Sequence, residues 1–187
     1  MLTASEIAAQ IGQGEIAWPG ELRGDSLLLR LGSPLQQLAH PGHVIDLASQ
    51  DSIDRLYAGP VHDWEEFDLA PGLMALCCVS HPLRLGTRFA AVIAGLSHLA
   101  RTGLAVHLAS PWVMPGWEGH LTLELLNAGP AALRLRRDMP AGRAVLIRMD
   151  GTPCDAVPHA HYGYPGHLGS QYAAEFGAQP AANGTRE

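Results

Sequence analysis

Short apolar or alternating runs, separated by turns rich in Gly and Pro, occupy most of the chain after its N-terminal segment. Runs of this length between such turns are typical of β-strands. They lie near residues 26–31, 43–47, 73–80, 88–94, 104–109, 119–126, 131–136 and 143–149. The pattern predicts a mainly β protein, an antiparallel barrel or sandwich with a few short helices against the sheet.

Three stretches of the chain favour helices. Thr3 and Glu6 form a T-x-x-E capping box, and Gly14 stands where a helix commonly ends. The other two stretches are shorter and lie between predicted strands. The predicted helices cover residues 4–13, 49–57 and 94–102.

Length and composition indicate one compact domain followed by a short tail. The 187 residues are 47% hydrophobic, which is sufficient for a substantial core. After Gln171 the sequence becomes rich in Ala, Gly and Pro, as loose termini often are. We therefore predict a single domain over residues 1–172 and a flexible C-terminal tail over residues 173–187.

The charge pattern argues against nucleic acid as a partner. The net charge is −6, and the 12 basic residues, all arginine, are scattered along the chain. Nonspecific binding to nucleic acid would require a basic patch or stripe. Because lysine is absent, any phosphate group would have to be held by arginine or by the backbone.

The N-terminus and the cysteines indicate a cytoplasmic protein without a membrane partner. Residues 1–11 lack the basic start and apolar centre of a signal peptide, and no apolar run approaches membrane-spanning length. Cys77, Cys78 and Cys154 are odd in number, and the first two adjoin in an apolar run. This arrangement favours reduced thiols in the core over disulfides.

A carboxylate interrupts an apolar strand near the centre of the chain. Alternation in the stretch 121–125 puts its leucines on one face and leaves Thr122 and Glu124 on the other. By spacing alone, Glu124 is more often a solvated acid on an edge strand. Upstream, Ser97 and Arg101 can share one face of a short helix, where a serine is usually a cap and an arginine usually a structural ion pair.

These residues belong to a longer pattern that resembles the deoxycytidine triphosphate (dCTP) deaminase family, which shares its fold with the trimeric deoxyuridine triphosphatases (dUTPases). Residues 96–104 correspond to the family signature R-S-S-L-x-R-x-G-L. Residues 113–127 correspond to I-D-P-G-[FW]-x-G-x-[IL]-x-L-E-[FL]-x-N, with no gap between the two halves. Weaker similarity extends over roughly residues 1–172. The resemblance implies a distorted antiparallel β-barrel of the dUTPase-like type, assembled as a homotrimer with active sites between subunits.

The resemblance also implies a metal-independent deamination of a cytosine deoxynucleotide, from dCTP to dUTP plus ammonia. Glu124 would be the general acid/base that takes a proton from water so that hydroxide attacks C4, a role typically worth about 10² to 10⁴ in rate. Ser97 would orient that water, helped by a backbone carbonyl at Ala109 or Ser110. Arg101 would support the acid, since a nearby guanidinium favours the ionised carboxylate while burial opposes it.

Several positions depart from the family pattern. The family's phosphate-binding arginine is Leu96 here, the aspartate that holds the sugar 3′-hydroxyl is Met114, and a late lysine is His167. A lost charged hydrogen bond weakens binding by about 1.5 to 3 kcal/mol. We therefore expect an altered sugar or phosphate preference, with pyrophosphate release disfavoured.

The substrate-binding candidates lie in two segments. A late glutamine of the family is matched by Gln171, and Tyr162 or Tyr164 can replace its tyrosine. The full set of predicted substrate-binding residues is Ala109, Ser110, Trp112, Met114, Tyr162, His167 and Gln171.

No metal site and no tightly bound cofactor are predicted. Zinc deaminases use H-x-E with P-C-x-x-C, and this chain contains no C-x-x-C. Cys154, His159 and His161 lie close together in the sequence, but an H-x-H pair on a loop commonly arises by chance. Mg²⁺ carried on nucleotide phosphates is compatible with the predicted reaction.

A second function remains open from the sequence. The replacements at Leu96 and Met114 also suit a noncatalytic nucleotide-binding or regulatory paralogue on the same trimeric fold. Sequence alone does not decide the sugar, the phosphate count or whether turnover occurs.

Overall fold

The computed structural model describes residues 1–39, 42, 44–151 and 168–176. The helices are α1 (Ala4–Gly12), α2 (Gln50–Asp54), α3 (Ser97–Ala100) and α4 (Tyr172–Phe176). The strands are β1 (Ile16–Ala17), β2 (Leu27–Gln37), β3 (Glu66–Leu69), β4 (Met74–Val79), β5 (Leu83–Leu85), β6 (Phe89–Gly95), β7 (Leu104–Val106), β8 (Trp112–Val113), β9 (Glu118–Gly119), β10 (Thr122–Asn127), β11 (Leu133–Arg136) and β12 (Pro140–Arg148). The predicted mainly β fold is confirmed.

A seven-stranded antiparallel sheet in the order β7-β10-β4-β2-β12-β6-β8 forms the body of the protein. Strands β6 and β7 lie far apart in this order but contact each other, which shows that the sheet is curled. A Cβ built on Gly95 at the end of β6 would lie 3.4 Å from the carbonyl oxygen of Val106 in β7. The remaining strands form two smaller sheets, β1-β5-β9 and β11-β3. The antiparallel, barrel-like arrangement is as predicted.

The main core fills the inside of the curl. Alternate residues of the central strands point inward, among them Cys77 on β4 and Leu123 and Leu125 on β10, all fully buried. Burial of such side chains stabilises the fold in proportion to the apolar area removed from water. Cys77 and Cys78 are free thiols, and burial raises the pKa of Cys77 to about 12. Reduced core thiols are confirmed for this pair, whereas Cys154 lies outside the described residues.

A second apolar cluster covers the outer face of β4. Leu76 and Cys78 point away from the main core and pack against Leu168. The segment around Leu168 is held to α2 by polar contacts: Gln50 Nε2 donates to the Ser170 carbonyl at 2.8 Å. The outer face of the sheet is therefore shielded by α2 and by residues 168–176.

The predicted tail begins with ordered structure. Residues 173–176, which the composition assigned to a flexible tail, belong to α4. Ala173 is buried, and the Ala174 N–H donates to Gln50 Oε1 at 3.3 Å. A small apolar residue and a side-chain contact with a distant helix order this turn, and neither is visible in the local composition.

The N-terminal helix follows its capping signal. Thr3 N–H donates to Glu6 Oε2 at 2.8 Å, and Glu6 N–H donates to Thr3 Oγ1 at 3.4 Å, so both halves of the capping box form. The hydrogen bond from the Thr3 backbone holds the pKa of the Glu6 carboxyl below its usual value. Helix α1 therefore begins where the sequence predicts and ends one residue earlier.

Other predicted elements differ in extent. No strand forms at residues 44–47, where Val44 and Leu47 are exposed. Strand β2 extends to Gln37, beyond the predicted end near residue 31. Gly32 and Pro34 predict a turn, but a register shift between Leu31 and Leu35 keeps both residues within the strand. Helices α2 and α3 are shorter than predicted. Among the described residues, none of the helices has the length and apolar character of a membrane-spanning segment.

Candidate active site

Glu124 lies on an interior strand of the large sheet. Its strand, β10, is paired on one side with β4 and on the other with β7, and Glu124 stands opposite Leu76. The predicted alternation is confirmed, because Leu123 and Leu125 are buried and Glu124 faces outward with its side chain 30% exposed. The alternative of an acid on an edge strand is therefore wrong.

The Glu124 carboxylate is anchored by the segment that follows β7. Leu108 N–H donates to Glu124 Oε2 at 2.8 Å, and His107 N–H donates to the Glu124 carbonyl oxygen at 2.8 Å. Immediately after β7 the backbone turns, with His107 at φ 75°. This turn aims the Leu108 amide at the carboxylate instead of at the next rung of the sheet.

His107 is a neighbour of Glu124 that the sequence analysis did not single out. Its Nδ1 lies 3.4 Å from Glu124 Oε2, within ion-pair distance, and its side chain is 8% exposed. The approach does not make a hydrogen bond, and neither ring nitrogen has a hydrogen-bond partner in the described part of the chain. The signal in the sequence was a polar residue at the end of an apolar strand, which without pairing information indicates only a strand end.

The stretch 109–114, which follows Leu108, contains four of the predicted substrate-binding residues. Ala109 and Ser110 are exposed and directly follow Leu108. Trp112 lies on β8 opposite Val92 and is 43% exposed, and Met114 is half-buried after the same strand. The structure thus places Ala109 and Ser110 next to the Glu124 anchor along the chain, and Trp112 on the outer side of the sheet.

The other two predicted catalytic residues are the first residue of α3 and its C-cap, Arg101. Ser97 is its first residue and is exposed, whereas the N-cap is Leu96, which makes no side-chain capping bond. Arg101 N–H donates to the Ser97 carbonyl at 3.2 Å, so the two residues are one turn apart. The cap interpretation of Ser97 is therefore wrong. Within the described residues the exposed Arg101 guanidinium forms no ion pair, so the structural ion pair is not observed there.

Among the described residues, α3 and Glu124 lie at opposite ends of β7. Leu104, which follows α3, pairs with Asn127, while His107 bonds to Glu124 at the other end of β7. Three residues of strand span about 10 Å. A single chain therefore joins Glu124 to His107 and Leu108, but forms no ion pair between Glu124 and Arg101 among the described residues.

Residues 168–176 lie against the same face of the sheet as Glu124. Leu168 packs against Leu76, the cross-strand partner of Glu124, and Gln171 precedes α4, where its carbonyl accepts from Glu175 N–H at 2.9 Å. Gln171 is thus attached to the layer that covers this face. The remaining late candidates, and the Cys/His cluster, lie outside the described residues: Tyr162, Tyr164, His167, Cys154, His159 and His161.

Two arginines of β11 are paired with acidic side chains of β3. Arg134 Nε donates to Asp68 Oδ1 at 2.7 Å, and Arg136 Nε donates to Glu66 Oε1 at 2.9 Å. The hydrogen bond from Arg134 lowers the pKa of the Asp68 carboxyl. These two arginines are therefore already engaged by carboxylates of β3. In the described part of the chain, no group of three or more His, Cys, Asp or Glu side chains is placed to hold a metal ion.

Comparisons with known proteins agree with this architecture. Residues 1–149 match the family model described as dCTP deaminase-like. The chain is 32% identical over 154 residues to a dCTP deaminase of Aeromonas hydrophila, covering 75% of this chain and 80% of that relative. It is 29% identical over 185 residues to a dUMP-forming dCTP deaminase of Salinispora tropica, covering 97% of this chain and 93% of the relative.

A solved structure supports the same fold. The crystal structure of 2′-deoxycytidine 5′-triphosphate deaminase from Agrobacterium tumefaciens superposes with a TM-score of 0.60 at 18% identity, covering 78% of this chain. The match spans 47% of the Agrobacterium chain, so this chain corresponds to about half of that protein's length. At this identity the likeness concerns the fold, whereas the family model covers most of the sequence. The chain therefore belongs to the dCTP deaminase-like family.

Proposed function

We propose that this protein catalyses hydrolytic deamination of a cytosine deoxynucleotide, with dCTP to dUTP plus ammonia as the reference reaction. The observation that carries the proposal is the Glu124 carboxylate, which is outward-facing, 30% exposed and held by the Leu108 amide. An acid fixed in this way is available to a water molecule and is suited to proton transfer in both directions. The proposed reaction uses no tightly bound cofactor, and Mg²⁺ enters only with nucleotide phosphates.

Ser97 and Arg101 have the supporting roles in this proposal. Ser97 orients the attacking water together with a backbone carbonyl at Ala109 or Ser110, and Arg101 favours the ionised form of the acid. Both residues are exposed, Ser97 on α3 and Arg101 at its C-cap, at the other end of β7 from Glu124. The proposal therefore includes a homotrimer in which α3 of one subunit completes the site around Glu124 of another.

The proposal includes weakened recognition of the triphosphate and the sugar. Leu96 and Met114 offer no polar group at the two positions where the family signature has arginine and aspartate. Three arginines, Arg134, Arg136 and Arg148, are candidates to replace the lost phosphate contact. The first two are bound by Asp68 and Glu66, whereas Arg148 forms no ion pair among the described residues and lies over the Phe89 ring. We therefore expect the ratio of kcat/KM for dCTP to that for dCMP to be smaller than in family members that keep both residues.

A second candidate function is favoured by the same two replacements. A noncatalytic paralogue would retain the fold and bind a nucleotide without converting it. In that case Leu96 and Met114 would mark the loss of substrate orientation, and the Glu124 site would persist only as a binding surface. Only the first function releases ammonia and a uracil nucleotide.

Ammonia release from purified protein separates these functions. The substrates are cytidine, deoxycytidine and their mono-, di- and triphosphates, with the uracil product and pyrophosphate measured in the same reactions. We expect ammonia from at least one deoxynucleotide, its loss in Glu124→Gln, and its retention in Glu118→Gln, which changes an exposed glutamate on β9. Nucleotide binding without ammonia would establish the paralogue, and full turnover by Glu124→Gln would overturn the acid/base assignment.

A further inference from the structure

His107 combines two unfavourable features at the point where the chain meets Glu124. Its backbone has φ 75°, a left-handed conformation that is uncommon for residues other than glycine. Its side chain is 8% exposed, and both ring nitrogens are without hydrogen bonds to any described residue. Both features occur in the residue whose own N–H donates to the Glu124 carbonyl oxygen.

These features point to a use for the imidazole. A buried polar group without a partner destabilises the folded state, and a left-handed backbone at a bulky residue does so as well. Glycine or asparagine would make this turn with less strain. Histidine, like asparagine, adopts a positive φ more often than most residues, so the turn permits it without explaining its buried ring. The use of the ring is indicated by its Nδ1, which lies 3.4 Å from Glu124 Oε2.

We propose that His107 is a positioning residue for Glu124, an inference that rests on the proposed deamination and extends it. A small rotation of the imidazole aims Nδ1–H at Glu124 Oε2, the oxygen that already accepts from Leu108 N–H. Hydrogen bonds of catalytic groups are commonly long or poorly aligned without substrate and tighten when it binds. Two donors on Oε2 fix the plane of the carboxylate and leave Oε1 as the oxygen that exchanges protons with water.

Glycine and asparagine also tolerate a positive φ, so two variants at position 107 separate the effect of the imidazole ring from that of the turn. His107→Gly keeps the left-handed backbone without strain and removes the imidazole. His107→Asn also tolerates this backbone and places an amide N–H near the position of Nδ1. A role limited to the turn predicts that both variants are as active as the wild type, and that glycine is at least as stable.

Steady-state ammonia release tests the positioning role. We expect His107→Gly to lower kcat by about 10²-fold, the order expected when a catalytic group is misplaced, with a much smaller change in KM. We expect His107→Asn to recover a substantial part of that loss. Wild-type kcat in a folded His107→Gly would overturn the proposal, as would an asparagine variant no better than the glycine variant.

A measurement without substrate tests the contact separately from the reaction. Long-range proton–nitrogen NMR spectra of the His107 ring should show the proton on Nδ1. The resonance of this nitrogen should move in Glu124→Gln and stay in place in Glu118→Gln. If the wild type releases no ammonia but these shifts occur, the contact stands and the deamination fails. If the His107 resonances do not respond to Glu124→Gln, the positioning role is wrong whatever the turnover.

Discussion

The amide of Leu108 donates a 2.8 Å hydrogen bond to Oε2 of Glu124, and so joins the first residues after β7 to the acid of the neighbouring strand. The bond requires a carboxylate long enough to reach across from β10, and a backbone that leaves the sheet at His107, where φ is 75°. Side-chain length and backbone direction are therefore matched at this point. A change in either should move the acid.

Shortening the acid should reduce turnover without unfolding the protein. Glu124→Asp keeps the charge but removes one methylene, so its carboxylate cannot both bond to the Leu108 amide and reach the same water. Since misplacement of a catalytic group by about 1 Å can cost about 10²-fold, we expect a loss of that order in kcat. Ammonia release and thermal unfolding should be measured together. Wild-type kcat in Glu124→Asp would show that the anchor does not position the acid.

If the protein forms the proposed homotrimer, mixed assemblies of two variants should show whether α3 and Glu124 of one site come from different subunits. Arg101→Ala and Glu124→Gln are each expected to be inactive alone. If each site combines α3 of one chain with Glu124 of another, a random equal mixture contains roughly a quarter of its sites with both native residues. Co-refolded or co-expressed mixtures should therefore recover roughly that fraction of wild-type activity. No recovery in mixtures shown to contain both chains would contradict a shared site.

The buried Asn127 side chain should be important for stability at the far end of β10. Its Nδ2 donates to the carbonyl oxygens of Leu69 and Ala131, each at 2.8 Å, and its Oδ1 accepts from Gly129 N–H at 2.9 Å. Asn127→Ala removes all three bonds and leaves the Leu69 carbonyl, the partner in the buried bond, without the amide donor. A buried unsatisfied group costs about 1 to 3 kcal/mol. Urea denaturation should show a free energy of unfolding lower by at least that amount. Ala128→Ser, an exposed change next to it, should have little effect.

The capping box should make stability depend on pH through Glu6. Because the hydrogen bond from Thr3 lowers the pKa of the folded carboxyl below 4.5, the stabilisation is present above that value and is lost as pH falls through the lower, folded pKa. The wild type should therefore be more stable than Glu6→Gln at pH 7, with the difference shrinking in strong acid. Urea titrations of both proteins at neutral and acid pH check this. A difference that does not depend on pH would contradict the capping contribution of the charge.

Local patterns account for much of the fold. The capping box at Thr3 and Glu6 placed α1, and alternation of leucines around Glu124 placed β10 with the correct face inward. These predictions succeed because a helix cap and a strand face depend on neighbours within a few residues. The exposed Val44 and the extension of β2 through a register shift were not predicted, since both depend on which distant strand is available for pairing.

The candidate site likewise combines residues that the sequence predicted with contacts that only the structure shows. The sequence by itself predicted which residues would carry the chemistry, because Glu124, Ser97 and Arg101 stand at the spacing of a family signature. Only the tertiary structure decided that Glu124 occupies an interior strand, that Leu108 anchors it and that His107 lies beside it. The reason is physical: strand order and the left-handed turn after β7 arise from pairing between segments remote in the chain, and periodicity along one segment carries no information about that pairing.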